Sequence, residues 1–181
     1  MLNRLRHWGV PACLGVLAIS LALILRNDVF RAVEARLAAV TMHLLLGMDA
    51  TAPAWSNLIV LTAPSPHGLV VTPDCTSGFL LGAVGLVMGP LFLLRRMAGR
   101  RLVVALGVVW SLILLTNLVR LGWTAVAIQE WGLEQGLRIG HDYLGTVVTT
   151  VGTSLSGLVA ILLILPSTAW RAARRGGPRP S

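Results

Sequence analysis

The chain alternates long apolar runs with short polar breaks. Four runs carry no charge and are long enough to cross a bilayer: about 8–25, 76–94, 102–119 and 143–165. At about 1.5 Å per residue, a helix of 18 residues reaches about 27 Å, close to the thickness of the hydrocarbon core. The pattern therefore predicts four transmembrane helices. Residues 28–48 read differently. Arg31, Glu34 and Arg36 fall on one side of a helical pattern, and Val29, Phe30, Val33, Leu37, Val40 and Leu44 fall on the other. This predicts an amphipathic helix that lies at the interface or re-enters it. In the following segment, 49–75, two short β-branched runs at 58–61 and 69–71 flank Pro64-Ser65-Pro66-His67-Gly68. They predict a short hairpin or an extended loop. The expected fold is a single all-α, polytopic membrane domain.

Composition supports a lipid environment. Only 12% of the 181 residues are charged, against about 25% in soluble domains. The net charge of +8 comes from fifteen arginines and no lysine, set mostly in clusters between apolar runs. That arrangement suits anchors at a membrane surface and argues against a nucleic-acid partner. With four spans and a cytoplasmic N-terminus, Arg4, Arg6, Arg95, Arg96, Arg100, Arg101 and the arginines of the tail 166–181 lie inside. All seven acids and the other five arginines lie outside, on the face that bears 28–48 and 49–75. The expected location is the cell (plasma) membrane, with both termini cytoplasmic. The N-terminal run lacks a small-residue cleavage site, so it reads as a retained anchor.

This threading brings reactive side chains together. Cys75 stands at the outer end of the second run, Arg120 at the outer end of the third, and His141 and Asp142 just before the fourth. Asn117 lies one turn deeper than Arg120. Cysteine attacks as its thiolate. Cys75 precedes a helix that Thr76 or Ser77 is placed to cap, and the positive end of that helix would favour a thiolate. Asp74 would oppose it. Histidine is suited to move the proton, and arginine to hold an oxyanion or a carboxylate. Each residue also has a plain reading: Cys75 as a small buried residue, Arg120 as a snorkelling anchor, Asn117 as an interhelical hydrogen bonder, Asp142 as a helix cap. Gly82, Gly85 and Gly89 predict close helix packing, and Thr149, Thr150, Thr153, Ser154 and Ser156 predict interhelical hydrogen bonds or, as the alternative, the lining of a groove. Cys13, far from Cys75, forms no redox pair or metal motif with it. The pattern calls for no metal and no cofactor.

Cys-Thr-Ser-Gly at 75–78, Asn-x-x-Arg at 117–120 and His141 before a further run together resemble the exosortase/archaeosortase family. The resemblance covers about 71–145. It implies a membrane cysteine transpeptidase or protease with Cys75, Arg120 and His141 as catalytic residues, supported by Asn117, Asp142 and Ser77. It also implies secreted substrate proteins that end in a short signature, a helix and a basic cluster. Many members have Cys-Ser-Gly or Cys-Thr-Gly, and many are longer. This chain resembles a minimal core, to which an accessory membrane protein would add further steps. The alternative from the residues alone is a non-enzymatic membrane scaffold, assembly factor or transporter subunit.

Overall fold

A computed structural model describes residues 9–62, 66–94 and 99–164. Arg4, Arg6, Trp8, Pro64, Ser65, Arg95, Arg96 and the expected tail 166–181 lie outside the described residues. The chain is largely helical. Helix α1 spans Gly9–Leu25 and α2 spans Asn27–Leu46. A small sheet follows, with β1 at Ala50–Thr51, β2 at Leu58–Leu61 and β3 at His67–Val70. A single 3-10 turn, Pro73–Cys75, leads into α3, Gly78–Leu94. Helix α4 runs Gly99–Trp131, and the short α5 runs Leu133–Leu137. A π-helical segment, Arg138–Leu144, passes into α6, Gly145–Ile164.

Two stretches are long and apolar enough to cross a membrane, Arg101–Trp131 and Leu133–Leu163; a third arises if the bent pair α1–α2 is one span. The expected runs need several adjustments. The second begins at Gly78 rather than 76, and its helix contains Pro90. The third does not stop at Val119. Nothing in the sequence breaks that helix until Gly132, whose φ of 78° glycine readily adopts. Its 33 residues reach about 50 Å, well beyond a hydrocarbon core of about 30 Å. The fourth joins helical structure that already begins at Leu133.

Helices α1 and α3 pack closely, as the glycine spacing predicts. A Cβ at Gly82 would lie 2.9 Å from the Ser20 carbonyl oxygen, and one at Gly85 would collide with the Ser20 side chain. Against this pair, α4 contributes Leu102, Ala105, Leu106, Val109 and Ile113, all buried. The outer side of α6 is bare: Val147, Val151, Leu155, Leu158 and Leu162 are all more than half exposed. Exposed apolar side chains in such a row mark a surface that meets lipid or another protein.

Helix α2 turns 84° from α1. It ends at Gly47, which adopts a left-handed conformation (φ 64°) and donates its amide to the Met42 carbonyl. Its buried face consists of Ala32, Ala35, Ala38, Ala39 and Met42. The valine and leucine stripe points away from the protein, with Val33, Val40 and Leu44 exposed. Glu34 departs from the expected polar face, because it is 1% exposed. The predicted hairpin forms. β2 pairs antiparallel with β3, Leu58 opposite Val70 and Leu61 opposite His67, and β1 adds a short outer strand. Ile59, Leu61, Leu69 and Val71 point inward against the alanines of α2 and against Leu121, Ala125 and Ile128 of α4. The C-terminal half of α4 thus belongs to a second core, built on α2 and the sheet.

Candidate active site

Cys75 ends the 3-10 turn and is buried. Its backbone is held at both ends. The amide donates to the Thr72 carbonyl at 3.0 Å, and the carbonyl accepts from Asn117 Nδ2 at 2.7 Å. Its Sγ lies 2.9 Å from His141 Nε2. Arg120 Nη2 lies 3.1 Å from the same nitrogen. On the other side of the ring, Nδ1 lies 3.0 Å from Asp142 Oδ1. A guanidinium can only donate, so Nε2 must accept. The ring proton then sits on Nδ1 and is donated to Asp142. The result is a thiol, an imidazole with its basic nitrogen turned to the thiol, and a carboxylate that holds the tautomer. Nucleophilic cysteine chemistry requires this order of groups.

The expected partners therefore meet across 66 residues of sequence, by a different route from the one expected. Arg120 does not sit at a helix end; it lies mid-way along α4. His141 lies inside the π-helical segment. Such segments are rare and concentrate at functional positions, because the extra residue per turn redirects a side chain. Glycines let this segment press against α4. A Cβ at Gly136 would collide with the Ala127 backbone, and one at Gly140 would lie 2.8 Å from Ala127 Cβ and 3.0 Å from Thr124 Cα. A Cβ at Gly145 would lie 3.1 Å from Arg120 Nε. The spacing Gly136, Gly140, Gly145 was a readable signal of that approach, but the sequence reading did not use it.

The second residue it missed is Glu34. Its carboxylate accepts from Thr76 Oγ1 at 2.7 Å, Ser77 Oγ at 2.7 Å, the Ser77 amide at 3.2 Å and Asn117 Nδ2 at 2.8 Å. Four donors from two segments converge on one buried acid. This corrects the expected capping. Ser77 does stand at the helix start, with its carbonyl accepting the Leu81 amide, but its side chain goes to Glu34. Thr76 Oγ1 accepts the Gly78 amide at 3.1 Å. The negative group at the positive end of α3 is therefore Glu34, and Cys75 stands one step outside it. An acid within an alanine-rich helix face was the available clue.

Asp74, expected to disturb the thiol, is exposed and forms no ion pair among the described residues. The hydroxyls of α6 do not bridge helices as expected. Thr149, Thr153 and Ser156 donate to carbonyls four residues back in their own helix, a habit of these side chains in apolar helices. Thr149 and Thr153 instead line a crevice of about 230 Å3, together with Phe79 and Leu80 of α3 and Thr116 and Arg120 of α4. Arg120 Nε is buried without a partner. Among the described residues no cluster of His, Cys, Asp and Glu could hold a metal ion. Comparison of the chain with protein-family models, with curated proteins and with solved structures returns no match.

Proposed function

We propose that the chain is a membrane-embedded cysteine peptidase or transpeptidase of the exosortase/archaeosortase kind. The observation that carries this reading is Cys75 Sγ at 2.9 Å from a histidine nitrogen that also accepts from Arg120, with Asp142 on the other nitrogen of the ring. In this reading the chain crosses the plasma membrane four times, through α1, α3, α4 and α6, with α2 along the outer surface. The site then opens outside. The substrate is a secreted protein with a C-terminal helix and a basic cluster. Its helix lies in the bilayer beside α3 and α6, and the extended junction before the helix enters the crevice.

His141 Nε2 takes the Cys75 proton as sulfur attacks the scissile carbonyl. Once protonated, Nε2 no longer accepts from Arg120. Repulsion between the two cations frees the guanidinium to face the oxyanion, toward which the unpaired Nε is a ready donor. Collapse of the intermediate breaks the C–N bond, and His141 protonates the departing amine of the helix. The acyl group stays on sulfur as a thioester until an amine, a hydroxyl or water attacks and the thiolate leaves.

The test is co-expression with a secreted protein that carries such a tail. Cleavage should disappear in Cys75→Ala and Cys75→Ser, with the protein still present in the membrane. Normal cleavage in either variant rejects Cys75 as nucleophile and leaves the scaffold reading in its place.

A further inference from the structure

The loop between β1 and β2 turns at Pro53–Ser56, closed by the Ser56 amide donating to the Pro53 carbonyl at 3.3 Å. Its third residue is Trp55, with φ of 58°. That left-handed position normally falls to glycine, and a bulky side chain there is strained. Burial does not offset the strain, because Trp55 is 77% exposed. The ring is held outward, with the Arg36 guanidinium 5.5 Å from its centroid.

Beside it lies a cleft of about 260 Å3, lined by Asp28, Val29, Arg31, Ala32, Trp55 and Asn57. Arg31 Nε is buried there and has no hydrogen-bond partner. Asp28 and Arg31 are three residues apart on α2, the spacing at which opposite charges ordinarily pair. They do not pair: among the described residues no ion pair joins the two. A cation with an unused donor and an anion one turn away thus line the same cleft, neither neutralised by the other. From its edge the exposed stripe Val29, Val33, Leu37 and Val40 runs along α2.

We propose that this cleft binds the headgroup of a zwitterionic phospholipid. Arg31 donates to the phosphate, Asp28 receives the ammonium, and Trp55 sits at headgroup level, where tryptophan is enriched. The acyl chains lie along the valine stripe. A free headgroup would use the charges and leave the stripe uncovered; a lipid uses both. This inference rests on the placement of α2 along the bilayer surface and is independent of the peptidase chemistry.

The experiment measures bound lipid by native mass spectrometry on the full chain in detergent, titrated with phosphatidylethanolamine or phosphatidylglycerol. Phosphatidylethanolamine should be retained about tenfold more. Arg31→Gln should lower that retention about tenfold. Asp28→Asn should still bind lipid but lose the preference. Trp55→Gly should retain less lipid while melting at a higher temperature. Equal retention of the two lipids by the unaltered chain overturns the proposal, as does full retention by Arg31→Gln. Displacement by free phosphoethanolamine at matched concentration overturns the lipid as occupant. Cys75→Ala should match the unaltered chain throughout, so failure of the peptidase reading would leave this result standing.

Discussion

The two halves of α4 sit in different surroundings. From Leu102 to Ile113 its buried positions are wholly apolar, and its neighbours α1, α3 and α6 meet it through glycine, alanine and branched side chains. From Asn117 to Ile128 the same helix buries Asn117 and Thr124 and half-buries Arg120, and it faces α2, the sheet and the π-helical segment. The N-terminal half requires mainly that the right volumes meet. The C-terminal half requires that particular donors meet particular acceptors. An apolar bundle tolerates small shifts; a hydrogen-bonded cluster around a buried carboxylate does not, since each lost partner leaves a polar group stranded.

Substitutions should separate the halves. The largest effect is expected at His141: replacement by alanine removes the base and should slow processing of a tailed substrate about 10²–10⁴-fold, read as cleavage rate at equal protein level. Next comes Gly140→Val, which forces the π-helical segment off α4. A misplacement of about 1 Å in a reacting group costs about 100-fold, so cleavage should fall by that order while Cys75 stays alkylatable by a small thiol reagent. Unchanged cleavage would show that the close approach of the two segments is dispensable.

Glu34→Ala should come third. It strands the Ser77 amide, a loss of about 1–3 kcal/mol, seen as a lower melting temperature in detergent, and it loosens the turn that carries Cys75. Among the helices packed on the N-terminal half, Gly85→Leu should cost a similar amount, about 1–3 kcal/mol, through overpacking against Ser20. The cleavage rate per folded molecule should stay within about twofold. A large rate loss there would erase the distinction between the two halves. The smallest effect is expected at Val151→Ala on the exposed side of α6, within about 0.5 kcal/mol.

The N-terminal half of α4 and its neighbours were the more legible. Hydropathy located these helices, and the spacing of Gly82, Gly85 and Gly89 announced the contact with α1. A hairpin was legible from the β-branched runs 58–61 and 69–71, although its second strand takes in His67 and Gly68, expected in the loop, and ends at Val70. The C-terminal half was read by residue and not by contact. Cys75, Arg120, His141, Asn117 and Asp142 were all picked out, yet the helix α4 was ended twelve residues early and Glu34 was assigned to the polar side of α2. The amphipathic pattern of α2 was correct in period. Which face met the protein was not decided by hydropathy, because alanines pack against the sheet more closely than valines and leave the larger side chains outside.

The sequence by itself determined what repeats locally: the apolar runs, the helical period, the small residues that permit close approach, and the chemical types at the breaks. Those are properties of neighbouring residues, set by backbone geometry and solvation. Only the tertiary structure decided that Cys75 meets His141, and that Glu34 serves Ser77 and an asparagine 83 residues away. Such pairings depend on how separate helices cross and how far each continues, and no period along the chain encodes that distance.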